Sequence, residues 1–146
     1  ITIFNLSCTE NVTLKNTFWS EIKKKSDSKE PILTLINTEF DWHIMYVIPN
    51  WYSETEISNI IGFEWHGSDV DDQFERLLFV DTLKECIEYF DYYPRNGPLF
   101  KFCFETDSIK DNRNVSFCRK ENCVFISRTV NQKYWKYEVT CLPNEK

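Results

Sequence analysis

At 146 residues, with 23 acidic against 17 basic side chains and a net charge of −6, the chain has the length of one domain, residues 1–146, and the wrong sign for nucleic acid. A chain of this length buries about 68–70 % of its unfolded surface, enough for a continuous core. That core is aromatic, with 12 Phe, 7 Tyr and 5 Trp; alanine is absent and there are only 3 glycines, which favours strands over a helix bundle and excludes a Gly-rich phosphate loop.

Residues 1–8 are β-branched and apolar and predict a first strand, and 32–36 and 42–48 predict two more. Ser26-Asp27-Ser28-Lys29-Glu30-Pro31 reads as an exposed loop. Within 42–48 one alternating face carries Trp42, Ile44, Tyr46 and Ile48, and the other is largely apolar too, so this strand is central or covered on both sides. Residues 57–65 and 74–80 continue the strand pattern, joined by the turn Gly67-Ser68-Asp69-Val70-Asp71-Asp72. A single helix is expected next: Thr82 and Glu85 form a capping box, Leu83, Ile87 and Phe90 share a helical face, and Pro94 ends it. Residues 99–105, 115–118, 124–130 and 134–142 complete the strands, with loops at 107–114 and 119–122. Roughly eight to ten short strands with one helix predict an all-β fold, an antiparallel β-sandwich.

Six cysteines, Cys8, Cys86, Cys103, Cys118, Cys123 and Cys141, show no CxxC pair and no His at zinc-ligand spacing. Their even number points to disulfides, with connectivity left open. Asn5-Leu6-Ser7, Asn11-Val12-Thr13 and Asn114-Val115-Ser116 are glycosylation sequons, and with the cysteines they indicate a secreted, extracellular protein. No apolar run reaches the roughly twenty residues that span a bilayer, so no membrane partner is expected. The chain opens at Ile1 without a signal sequence, which reads as a mature product or a piece of a longer chain.

The charge is concentrated. Between Glu39 and Asp91 stand 13 acidic residues and only 2 basic ones, Arg76 and Lys84, a local net charge of −11, while residues 1–38 sum to +1 and 92–146 to +4. Such a surface attracts a basic partner. Glu54, Glu56, Glu64, Asp69, Asp71, Asp72 and Glu75 are the candidate steering acids, and Trp51, Tyr52 and Trp65 the candidate anchors, each aromatic having core packing as its competing role. Glu85 and Glu88 read as helix-surface residues instead.

Catalytic patterns are scarce. His43 and His66 have no partners at metal-ligand spacing. His66 beside acids could serve as a general base, and paired acids could cleave glycosides, but a crowd of exposed carboxylates does not supply the two distinct environments that acid–base work needs. A binding module with no enzymatic activity and no cofactor or metal is expected.

The opening Ile3-Phe4-Asn5-Leu6-Ser7-Cys8, the segments Trp51-Tyr52-Ser53-Glu54-Thr55-Glu56 and Ile61-Gly62-Phe63-Glu64-Trp65, and Val139-Thr140-Cys141-Leu142 give the chain a resemblance to the SECRET domain. This is the C-terminal chemokine-binding domain of poxviral tumour necrosis factor receptor homologues of the cytokine response modifier type, similar in turn to the secreted poxviral CC-chemokine inhibitors. The resemblance covers essentially all 146 residues. It implies a secreted β-sandwich decoy that sequesters host chemokines, small and mostly basic proteins, for viral immune evasion. In such a protein Cys-rich receptor modules would lie N-terminal of Ile1, and their activity is not carried over. A carbohydrate-binding, lectin-like extracellular sandwich is the rival expectation, with Trp faces stacking on sugars.

Overall fold

The computed structural model describes residues 9–26, 28, 40–93, 100–104, 109–110, 115–129 and 137–143. The strands expected at 1–8 and 32–36, most of the loop at 26–31, Cys8, Asn5 and Asn114 lie outside the described residues.

Asn11 starts the first helix. Its carboxamide oxygen accepts the Leu14 N–H at 2.9 Å, capping α1 (Val12–Ser26), and its carboxamide nitrogen donates to Glu88. Leu14, Phe18 and Ile22, four apart, form the buried stripe, and Lys23, Lys24 and Lys25 complement the dipole at the C-terminal turn. The sequence reading assigned no element to this stretch and took Asn11 for a glycan acceptor.

Strands β1 (Ile44–Ile48), β2 (Glu75–Asp81), β3 (Cys86–Tyr92), β5 (Ile109–Lys110) and β6 (Val115–Arg119) form an antiparallel sheet in the order β3-β2-β1-β6-β5. As expected, β1 is central and covered on both faces. Met45, Val47, Leu77, Phe79, Phe90 and Tyr92 meet α1, whereas Tyr46, Ile48, Leu78, Val80, Ile87 and Tyr89 face a second cluster under α2 (Glu54–Ile61). Trp42 precedes the strand and joins the α1 side, not the Tyr46 face. Strands β4 (Phe100–Phe104), β7 (Cys123–Thr129) and β8 (Tyr137–Pro143) make a smaller sheet in the order β4-β8-β7, in which β4 and β8 run parallel. Helix α1 touches β3 of the larger sheet and β7 and β8 of the smaller. The fold is thus mostly β, with two α-helices among the described residues rather than one.

Two sequence-based assignments exchange places. The helix expected over 82–90 is a turn followed by β3. The Asp81 carboxylate accepts the N–H groups of Leu83 and Lys84, each at 3.0 Å, and Glu85 takes a left-handed φ of 52°, so the chain reverses instead of winding. The Lys84 N–H is the chief cause that holds the Asp81 carboxyl below the usual carboxylate range. Beyond the turn, Ile87 and Tyr89 bury on one face and Phe90 and Tyr92 on the other, in register with β2 (Leu78↔Tyr89, Val80↔Ile87). A strand buried on both faces has no two-residue polar alternation, and Leu83, Ile87 and Phe90 imitated a helical stripe. Conversely, the strand expected over 57–65 is α2 and a loop. Ser53 caps α2 by accepting the Glu56 N–H at 3.1 Å, Ile57 and Ile60 bury one face, and Gly62 at φ 89° ends it. The loop expected at 107–114 contains β5, and that at 119–122 contains a 3-10 turn, Lys120–Asn122.

Candidate binding surface

Sheet register places Arg76 of β2 opposite Asp91 of β3, on the face that carries Tyr89. There Arg76 is fully buried, and its guanidinium grips Asp91 with two hydrogen bonds, Nε to Oδ1 at 2.7 Å and Nη2 to Oδ2 at 3.0 Å. The outer edge of the fork reaches the loop that follows α2: Nη1 donates to the Ser68 carbonyl at 2.6 Å and Nη2 to the Ser68 hydroxyl at 2.9 Å. Its carbon centre lies 4.2 Å from the Tyr89 ring centroid and 5.6 Å from that of Trp65. Arginine suits this position because its planar fork donates to a carboxylate and a backbone carbonyl while stacking on rings, which a lysine cannot do.

Arg76 thereby fixes residues 65–72, the loop that carries the acids. Trp65 packs beneath the loop at 5 % exposure, edge-on to Tyr89, and its backbone N–H and C=O both bond the Ser58 hydroxyl at 3.1 Å. Gly67 crosses the Trp65 ring so closely that a Cβ would sit 2.1 Å from Cζ2, which explains a glycine here. Val70 is buried and exchanges backbone hydrogen bonds with Trp51 and Tyr52, each at 2.8 Å, and Asp69 accepts the Glu54 N–H at 3.0 Å. The start of α2 and the acidic loop are therefore one continuous surface.

The candidate residues divide by burial. Trp51 stands 73 % exposed, and Glu64, Asp69, Asp71 and Asp72 are also exposed. Tyr52, Glu54, Glu56 and Glu75 are half-buried. Trp65 belongs to the core and not to a contact surface, because the Arg76-bound loop closes over it. Asp69 does double duty as a second cap of α2, and Glu75 accepts the buried Tyr92 hydroxyl at 2.8 Å, so neither is a simple rim charge. Glu85 lies in the β2–β3 turn, and Glu88 on β3 accepts from Asn11, so the helix face assigned to them does not exist.

Beside this surface an open groove of about 450 Å³ runs between α2 and residues 62–66. Exposed His66 bridges its walls, with Nε2 3.0 Å from Glu64 and Nδ1 3.5 Å from Glu54. His43 instead accepts the Thr82 N–H through Nδ1 at 3.2 Å, a structural role at the turn. Among the described residues no three His, Cys, Asp or Glu side chains gather as metal ligands, and no helix is long and apolar enough to cross a membrane.

No protein-family model, curated protein or solved structure matches this chain. The surface must therefore be read from its own chemistry. From Asn50 to Glu75 the chain contains no Lys or Arg, and Arg76, the next cation, is sealed in the core against Asp91. Lys84 lies in the turn at the opposite end of β2. Sequence reasoning missed Arg76 as an organiser, although its isolation among 13 acids was the available signal. It also passed over the stacked pair Phe74 and Tyr93, whose ring centroids are 4.0 Å apart.

Proposed function

We propose that this chain is a secreted chemokine-binding domain of the SECRET type, a decoy that sequesters basic host chemokines. The observation that carries the reading is Trp51, 73 % exposed beside the exposed acids Asp69, Asp71 and Asp72 on a loop fixed by Arg76. Exposed acids raise the association rate for a basic protein, and a protruding aromatic that becomes desolvated slows dissociation. An interface of standard size takes about 800 Å² from each partner, so the contact extends beyond Trp51 to Glu54 and Glu56 at the start of α2.

The reading includes two sheets arranged as a sandwich with α1 against both, cysteines oxidised in the secreted protein, and Cys-rich receptor modules upstream in a longer chain. The contacts of α1 with β3, β7 and β8 support the arrangement. Asn5 and Asn114 are the glycan acceptors in this reading, because Asn11 is engaged as the cap of α1. Nothing in it calls for catalysis.

The test is surface plasmon resonance of the purified glycoprotein against a chemokine panel, beside a glycan array. Binding to at least one chemokine, weakening as salt shortens the Debye length from about 10 Å at 0.1 M to about 3 Å at 1 M, is expected. Glycan binding without chemokine binding would establish the lectin-like alternative. Six reactive thiols in the denatured, unreduced protein would refute the extracellular reading.

A further inference from the structure

Three aromatic residues that are far apart in sequence lie towards one end of the larger sheet. Trp51 follows the end of β1, Phe74 precedes the start of β2, and Tyr93 follows the end of β3. Register makes Phe74 and Tyr93 lateral neighbours, since Glu75 pairs with Tyr92, and Trp51 comes three residues after Ile48, which pairs with Arg76. Phe74 and Tyr93 stack with 4.0 Å between centroids and an interplanar angle of 37°, and Tyr93 keeps 43 % of its surface exposed. Asn50 ties the Trp51 segment to Asp72 at 3.4 Å, and the Phe74 N–H donates to the Asp71 carbonyl at 3.2 Å.

This end is also where the backbone is held in unusual conformations. Trp51 has φ 67° and Gln73 φ 71°, both left-handed without being glycine, and for a residue as bulky as tryptophan that conformation is rare. The Trp51 N–H donates to the Val70 carbonyl at 2.8 Å, and the side chain stands 73 % exposed. Exposed aromatic side chains grouped within a polar rim mark interaction surfaces.

We propose that Trp51 and the Phe74–Tyr93 pair form the contact centre for a basic protein segment, whose arginine or lysine side chains lie on these ring faces while Asp71 and Asp72 pair with neighbouring cations. Charge decides the occupant. The rings are rimmed by exposed carboxylates with no Lys or Arg between residues 50 and 75, and a second copy of the chain, at net −6, would bring like charge to like. A cation over an aromatic face gains from the ring quadrupole, and arginine gains most because its plane also stacks. The inference shares the acidic surface with the chemokine-binding reading, and rests on it only for the identity of the partner; it extends the contact centre from Trp51 to the Phe74–Tyr93 pair at the end of β2 and β3.

The experiment measures binding of the full chain to the chemokine panel and to a nona-arginine peptide, with nona-citrulline as its uncharged counterpart. The variants are Trp51→Ala, Tyr93→Ala, Tyr93→Phe and, as control, Leu83→Ala, which removes another exposed apolar side chain (84 %) at the opposite end of the β2–β3 hairpin. Truncating Trp51 or Tyr93 is expected to weaken arginine-peptide binding about tenfold or more, with Tyr93→Phe and Leu83→Ala near wild type and no binding of the citrulline peptide. If a chemokine binds and both truncations leave its affinity within about twofold, this inference is overturned while the chemokine reading stands. If no chemokine binds but the arginine peptide does, and depends on Trp51 and Tyr93, the chemokine reading fails and this one survives. Equal loss in Leu83→Ala, equal binding of the citrulline peptide, a dimer held by Trp51 in sedimentation, or no binding of either ligand overturns it.

Discussion

Replacing Arg76 by methionine removes the cation on which the acidic loop hangs. The side chain is fully buried, so the substitution strands Asp91 without its two hydrogen bonds and leaves the Ser68 carbonyl without a donor. Removing one member of a buried ion pair costs about 3–5 kcal/mol, because the charge left behind is uncompensated. Asp91 retains 21 % side-chain exposure and can recover some water, which places the expected loss near the lower bound, about 3 kcal/mol. Against a total stability of about 5–15 kcal/mol, this moves the urea midpoint substantially without altering the slope. Far-UV circular dichroism measures it. A second readout is local: amide exchange at Trp65 and Val70 should accelerate more than at Leu78 in the middle of β2, since only the first two depend on the loop. Arg76→Lys keeps the charge, loses the fork and should fall between. A loss below about 1 kcal/mol with unchanged exchange at Val70 would refute the claim that Arg76 organises the surface.

Other expectations follow from the same geometry. Gly67→Ala must displace the Trp65 ring, since the new Cβ would lie 2.1 Å from Cζ2; a cost of about 1–3 kcal/mol in urea unfolding is expected. Burial raises Tyr92 well above the ordinary phenol value of 10.0, and Glu75 adds to the effect, so the folded state keeps a proton that the unfolded chain releases. The stabilisation is complete below that value and is lost as pH rises through the folded-state pKa; Tyr92→Phe should therefore flatten the alkaline fall in Tm measured from about pH 10 upward. Asp69→Ala removes a cap of α2 and should cost about 0.5–2 kcal/mol, whereas Asp71→Asn with Asp72→Asn should leave Tm unchanged and slow association with a basic ligand.

Strands β1, β2, β4, β6, β7 and β8 were legible because apolar, β-branched and aromatic runs have few other places to go. The two helices were not, for opposite reasons. In α1 the stripe of Leu14, Phe18 and Ile22 is thin and set among Asn, Thr and Lys, so propensity argued against what tertiary packing enforces. In α2 the apolar pair Ile57 and Ile60 sits in a helix of 8 residues, shorter than the window in which a 3.6-residue period can be told from a strand. The capping box at Thr82 and Glu85 failed because Asp81 accepts the N–H groups of Leu83 and Lys84 for a turn, and His43 takes the Thr82 N–H that the Glu85 side chain would have capped.

Charge counting located the acidic stretch along the chain but missed how the fold sharpens it. In the sequence Arg76 dilutes the acidic stretch; in the structure it is removed from the surface altogether, taking only Asp91 with it. From Asn50 to Gln73 the chain itself supplies no Lys or Arg, and the one titratable base of that stretch, His66, lies between Glu54 and Glu64. A buried arginine that spends its donors on one carboxylate and on the carbonyl and hydroxyl groups of a loop contributes less to net stability than its bond count indicates, since desolvation offsets much of the gain. What it does contribute is placement. With the loop held from beneath, the acids and Trp51 would meet the proposed basic partner already ordered, and the entropy that a mobile loop would lose on binding has been lost in folding.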